Sequence, residues 1–258
     1  MTGRSVTGRG IASINPVAKL AAALIIAFTL ALSVDAVSAG VALLLEAVLL
    51  PFAVPNWPAF WRRTAPVWIA APLAALTIAL YGRASGHLYL GWFFVQVTDG
   101  SLQLALVTLL RVLAIGLPAV ALFATVDATD LADGLAQVLH LPARFVLGGL
   151  AALRLAGLMR DDWRALELAR RARGVADRGR LRRFAGLGFG LFVLSIRRGT
   201  ALATAMEARG FGGTAARTWA RPSSFGRREV LVIAAGAVVA GAAVAAAVAT
   251  GEWAFIGG

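Results

Sequence analysis

The chain has little charge for its size and no cysteine. Only 15% of its 258 residues are charged, whereas 59% are hydrophobic. A soluble domain needs more polar residues than this to cover its surface, so the composition excludes an ordinary soluble protein and predicts a membrane protein. The absence of cysteine excludes disulfide bridges, thiolate catalysis and cysteine-based metal sites.

Motifs for catalysis and nucleotide binding are also missing. No Ser/His/Asp constellation, paired-carboxylate cleft or HExxH motif is present, and this argues against an enzyme. The two histidines, His87 and His140, have no matching ligands near them, so we predict no metal site and no cofactor. The sequence has no G-x-x-x-x-G-K-[ST] phosphate loop, and we therefore do not expect this chain to bind ATP itself.

The positive charge is concentrated in one part of the chain. The net charge is +12, and the segment 127–228 holds most of the arginines and fewer acidic residues. Because these arginines are not interleaved with aromatic residues, nucleic-acid binding is not favoured. Arginine beside membrane helices is typical of the cytoplasmic side, where it also contacts anionic lipid. A membrane-anchored nucleic-acid or lipid-binding protein remains an alternative that explains this basic segment.

Five apolar runs are long enough, or nearly so, to cross a membrane. A bilayer core about 30 Å thick needs about 20 apolar residues in a helix. The N-terminal run resembles a signal peptide, but we expect it to be an uncleaved span because further runs follow at once. The sequence therefore predicts an all-α, polytopic membrane protein with about five transmembrane helices. The runs are 17–34, 36–54, 64–81, 101–126 and 230–251.

Placing the arginine-rich segments inside the cell predicts the topology. The N-terminus and the segment 127–228 are then cytoplasmic, and the C-terminus lies outside. This divides the chain into a membrane part with four spans (1–126), a cytoplasmic or interfacial region (127–228) and a C-terminal span (229–258). The aromatic segment 82–100 is then outside, as an interfacial belt or a short half-buried element.

The segment 127–228 has the pattern of three amphipathic helices, over 129–140, 143–173 and 184–209. The last two are about 46 and 39 Å long at 1.5 Å per residue. Each ends in the same tripeptide, Ala172-Arg173-Gly174 in one and Ala208-Arg209-Gly210 in the other. Glycine adopts the left-handed conformation that ends a helix at little cost, so both tripeptides are predicted to be helix ends.

These features together resemble a known family. The resemblance covers most of the chain and rests above all on the two Ala-Arg-Gly ends. Shorter matches are Asn15-Pro16-Val17-Ala18-Lys19-Leu20, Val97-Thr98-Asp99-Gly100 and Ala128-Thr129-Asp130-Leu131. The family is the transmembrane T component of energy-coupling factor (ECF) transporters, which includes the CbiQ-type cobalt permeases.

The resemblance implies a non-catalytic subunit in the cell membrane that couples two ATP-binding cassette ATPases to a membrane-embedded substrate-binding S component. The imported solute would be a vitamin or a metal ion, chosen by the S component. Arg173 and Arg209 would dock on the two ATPases, and the small residues Ala172, Gly174, Ala208 and Gly210 would allow close approach. Which of the arginines between 170 and 173 makes the main contact stays open.

Other interpretations of these residues remain. Arg173 and Arg209 could act only on the helix dipole, a contribution of about 0.3–1 kcal/mol that needs no partner. Glu46 and Arg111 are ionisable residues inside predicted spans, and such residues are often functional. An autonomous secondary transporter or channel using Glu46 and Arg111 is therefore the alternative function, although no paired inverted repeats are evident.

Overall fold

The computed structural model describes residues 13–54, 56–82, 85–92, 95–174, 179–213 and 218–253. The chain forms two compact units. One runs up to Leu131 and resumes at Ser223, and the other is Ala132–Pro222. The elements in chain order are α1 (Pro16–Leu32), α2 (Ala36–Ala53), α3 (Trp57–Tyr81), β1 (Leu88–Trp92), β2 (Val95–Thr98), α4 (Asp99–Phe123), α5 (Ala128–Gln137), α6 (Ala143–Ala172), α7 (Arg180–Ala208) and α8 (Arg227–Ala249).

The first unit is the membrane part of the protein, and it confirms the predicted all-α membrane class. Three of its helices, α3, α4 and α8, are long and apolar enough to cross a bilayer. The two others, α1 and α2, are apolar but shorter. A helix of 17 residues such as α1 is about 25 Å long, which is less than the bilayer core, so the count of five spans is approximate.

Side-chain caps explain where these helices begin. Asn15 Oδ1 accepts a hydrogen bond from Val17 N at 3.0 Å, with Pro16 in the first turn of α1. Asp35 caps α2 in the same way. Asn56 Oδ1 accepts from Ala59 N at 3.2 Å and starts α3 seven residues before the predicted Thr64. The prediction was wrong there because it required a charge-free run, whereas Arg62 and Arg63 lie exposed in the first turns of α3.

The core of the membrane unit is built from small and branched apolar side chains. One cluster joins α1, α2, α4 and α8, and a second joins α2, α3 and α4. Gly236 of α8 lies so close to α1 that a Cβ atom there would be 3.0 Å from Ala22 Cα. Such close contact of helix backbones is typical of membrane helix packing.

The segment between α3 and α4 contains a short β-hairpin, which the sequence did not predict. Strands β1 and β2 pair antiparallel, with Leu90 opposite Val97 and Gly91 opposite Gln96. Leu88, Tyr89 and Leu90 are exposed. The interfacial position expected for this aromatic segment stays a prediction. Its backbone pairs with itself, because a paired strand satisfies its own polar groups.

The three predicted amphipathic helices are present as α5, α6 and α7. Their bounds differ from the prediction by a few residues, with α5 ending at Gln137 and α7 beginning at Arg180. Asp127 Oδ1 accepts a hydrogen bond from Thr129 N at 2.7 Å at the start of α5. The structure contains no buried residue in α6, so most of the surface of this helix is open.

Candidate functional site

The end of α6 has the geometry that the sequence predicted. Arg173 is the last residue near helical geometry, with φ −86°, and its N–H donates to Ala169 O at 3.2 Å. Gly174 follows with φ +67°, and its N–H donates to Arg171 O at 3.0 Å. This glycine therefore ends the helix in the left-handed conformation.

The end of α7 repeats this geometry. Arg209 has φ −90° and Gly210 has φ +77°. The Gly210 N–H donates to Glu207 O at 2.9 Å, and the Phe211 N–H donates to Met206 O at 2.9 Å. These two bonds form a complete Schellman motif, the commonest way for glycine to close a helix. The two Ala-Arg-Gly tripeptides thus share their backbone conformation, with arginine near helical geometry and glycine at positive φ.

The two arginine side chains at these ends are exposed. Ala172, Arg173, Gly174, Ala208, Arg209 and Gly210 are all solvent-exposed. Within the part of the chain that the structure describes, neither guanidinium group forms a hydrogen bond or an ion pair. Both therefore keep their full set of donors for a partner.

The neighbouring arginines at the end of α6 are used within the chain. Arg171 Nη2 donates to Glu167 Oε1 at 2.9 Å. Arg170 turns toward α7, where its Nη1 donates to Arg183 O at 3.3 Å, and Arg183 itself pairs with Glu167. Among the described residues, Arg170 and Arg171 thus have intramolecular partners, whereas Arg173 has none.

The two arginine ends lie far apart because α6 and α7 pack antiparallel. Asp162 pairs with Arg198 at 2.7 Å, and Trp163 contacts Phe184 with ring centroids 5.4 Å apart. The end of α6 therefore lies beside the start of α7, near Arg183. From Arg183 to Arg209 is a helix length of about 39 Å, which approximates the separation of the two ends.

A groove runs along the other half of this helix pair, between the start of α6 and the end of α7. Its volume is about 1040 Å³. Leucines form much of its wall, and Arg144, Arg154 and Arg209 contribute its charged groups. Arg209 therefore lies beside an apolar depression.

Glu46 and Arg111 lie inside the membrane unit, on α2 and α4. Both Glu46 carboxylate oxygens and Arg111 Nη2 are buried without a hydrogen-bond partner. The described residues contain no ion pair between the two side chains. Glu46 lines a small apolar cavity of about 170 Å³, and Asp35 is the acidic residue that acts electrostatically on Arg111. The two residues thus do not form a common site.

No metal centre is found in the part of the chain that the structure describes. A metal ion needs several ligands, and no group of three or more His, Asp or Glu residues is assembled there. Glu46 alone offers one carboxylate in apolar surroundings. Among the described residues, the exposed arginine ends remain the features best suited to contact a partner.

A polar cluster at the start of α1 was missed by the sequence interpretation. Asn15, Lys19, Thr125 and Glu229 come together there from α1, the end of α4 and α8. Lys19 and Asn15 are almost fully buried. The only signal in the sequence was the Asn-Pro pair, which is typical of a helix start, whereas contacts more than a hundred residues apart left no local pattern.

Comparison with known proteins decides the family. The cobalt transport protein family, CbiQ, matches residues 8–219, which is most of the chain and includes both arginine ends. This chain belongs to the CbiQ family. It is also 28% identical, over 193 residues, to the energy-coupling factor transporter transmembrane protein EcfT of Limosilactobacillus fermentum. That similarity covers 67% of this chain and 72% of the relative. As a CbiQ-family protein, the chain is a membrane component of a transporter.

Proposed function

We propose that this CbiQ-family protein is the transmembrane coupling subunit of an energy-coupling factor importer. In this function it binds two ATP-binding cassette ATPases on the cytoplasmic side and a membrane-embedded S component that holds the solute, a vitamin or a metal ion. The subunit itself hydrolyses no ATP, in keeping with the missing phosphate loop. The name of the Limosilactobacillus fermentum relative supports this assignment.

The observation that carries the proposal is the pair of equivalent, exposed arginine ends. Neither guanidinium has a partner among the described residues, and an arginine fork can hold a carboxylate with two parallel hydrogen bonds. A separation of about 39 Å suits two partners better than one small ligand. Arg173 and Arg209 are therefore assigned one ATPase each.

The alternative function, an autonomous transporter that uses Glu46 and Arg111, has less support. A coupled ion path needs polar groups that face one another or a water-filled passage. In the described residues Glu46 and Arg111 are unpaired, and the cavity beside Glu46 has apolar walls. A structural role in the membrane unit accounts for both.

The test is co-purification of the ATPase subunits with variants of this chain. Truncating one partner of a buried interfacial charge pair costs about 2–5 kcal/mol, or about 30-fold to several-thousand-fold in affinity. We therefore expect Arg173→Ala or Arg209→Ala to lose one ATPase subunit from the complex. The double variant is expected to lose both while still inserting in the membrane.

Arg171→Ala is the matched control for Arg173→Ala. Arg171 is exposed on the same helix end but is held by Glu167, and an exposed ion pair contributes about 1 kcal/mol or less. This control variant is expected to retain both ATPases. Equal retention by Arg173→Ala, Arg209→Ala and Arg171→Ala would contradict the docking assignment.

A further inference from the structure

The chain passes between its two units twice, and both connections are bound to one turn of α1. The outgoing connection is Ala124–Leu131, after α4, and the returning one is Pro222–Gly226, before α8. All the contacts concerned lie within the first unit. The turn that receives them is Asn15–Lys19, which we call the α1 anchor.

Asn15 holds the returning connection. Its Nδ2 donates to Ser223 Oγ at 2.8 Å and to Ser224 O at 2.9 Å. Its backbone N–H donates to Glu229 Oε1 at 3.3 Å, and the other Glu229 oxygen accepts from Gly226 N at 2.9 Å. One side chain thus caps α1 and fixes the segment that enters α8.

Lys19 holds the outgoing connection. It is the only lysine among 25 Lys and Arg residues, and its side chain is fully buried. Its Nζ donates to Thr125 Oγ1 at 2.8 Å, and Asp130 of α5 supplies the opposite charge. The ammonium is a compact group with three donors, and all other basic residues of the chain are arginine. Burial of a charge is costly, and among the described residues these groups compensate for it.

We propose that the α1 anchor transmits motion between the coupling helices and the membrane unit. If α6 and α7 move with their ATPases, the motion reaches the two connections along the chain, through α5 before α6 and through the segment that follows α7. Because both connections are bound to the same turn of α1, their displacement moves α1 and the helices packed against it. Without these contacts, only the conformation of the two connections would change. Asn15 and Lys19 are positioning residues in this process. The inference rests on the proposed coupling function.

A first experiment tests the contacts in the purified full chain, by hydrogen exchange in lipid nanodiscs. Lys19→Met removes the ammonium and keeps an apolar side chain. We expect amide exchange about twofold to tenfold faster in 124–131, with little change in 222–229. Asn15→Ser keeps an oxygen that can cap α1 but removes the amide donors, so faster exchange is expected in 222–229. If neither variant changes exchange in its own connection, the anchor is refuted.

A second experiment tests transmission in the assembled transporter, with ATPases and S component in proteoliposomes. The measured quantity is solute taken up per ATP hydrolysed. We expect Lys19→Met and Asn15→Ser each to lower this ratio about fivefold or more while ATP hydrolysis continues. A merely stabilising role would reduce the amount of complex but leave the ratio unchanged.

The matched control is Asn56→Ser. Asn56 caps α3 as Asn15 caps α1, but none of the hydrogen bonds found among the described residues joins its side chain to either connection. This control should keep the parental ratio. If the variants bind ATPases and hydrolyse ATP with an unchanged ratio, the anchor is wrong although the coupling function stands. If the parent chain binds no ATPase, the proposed function itself fails.

Discussion

Replacing Gly210 by alanine should weaken ATPase binding through the backbone alone. Gly210 has φ +77°, a conformation that costs a residue with a Cβ atom roughly 1–2 kcal/mol. Apart from its chain neighbours, no atom of the described residues lies within 4 Å of the position a Cβ would take, so the substitution adds no steric clash with them. The strain instead favours a different conformation of the last turn of α7. This change would alter the direction of the Arg209 side chain.

Gly199→Ala is the control in the same helix, and it is expected to change the stability of the protein in the opposite direction. Gly199 lies inside α7, also with open space at the Cβ position. Alanine there should stabilise the helix by roughly 0.5–1 kcal/mol, because glycine loses more backbone entropy in a helix. Gly210→Asn is a second comparison, since asparagine visits the left-handed region more readily than alanine.

The assay combines unfolding of the purified chain with titration of ATPase subunits onto it. We expect Gly210→Ala to lower both stability and ATPase affinity, Gly199→Ala to raise stability without loss of affinity, and Gly210→Asn to fall between Gly210→Ala and the parent. If Gly210→Ala matches Gly199→Ala in both measurements, the left-handed helix end has no role in docking.

Two further predictions follow from topology and from the buried carboxylate. The topology prediction places the arginine-rich unit in the cytoplasm and Glu252 outside. An impermeant thiol reagent should therefore label the Glu252→Cys variant but not the Ser195→Cys variant in intact cells, since the chain has no other cysteine. Labelling of Ser195→Cys without labelling of Glu252→Cys would show the opposite orientation. Glu46→Gln should keep ATP-driven uptake within about twofold of the parent, because the Glu46 carboxylate has no partner among the described residues and so contributes no coupled ion path there. Complete loss of uptake in a folded variant would favour the alternative transporter function.

The helix ends were predictable from sequence because their determinants are local. Glycine after arginine at the end of an amphipathic run predicts a left-handed helix end, and Gly174 and Gly210 both have that geometry. The spans were predictable from apolar length, although the start of α3 was placed too late because Arg62 and Arg63 were counted against the helix. The local composition of the sequence was thus enough to predict the fold class and most of the helices.

Features that depend on distant contacts were not predictable. The pairing of β1 with β2 depends on register, which the aromatic segment did not reveal. The contact of Arg170 depends on how α7 packs on α6, because its guanidinium donates to Arg183 O of α7. The buried cluster of Asn15 and Lys19 joins residues 106 to 214 positions apart in the chain. A single sequence carries no local signal for such contacts.

The most direct test of the coupling account is ATP-driven uptake by the reconstituted complex. The comparison is between the parent chain and the Arg173→Ala/Arg209→Ala double variant, at equal amounts in the membrane. The account predicts that the double variant remains folded but takes up no solute above the level without ATP. Uptake by the double variant at the parental rate would contradict the central claim that these two arginine ends couple the ATPases to transport.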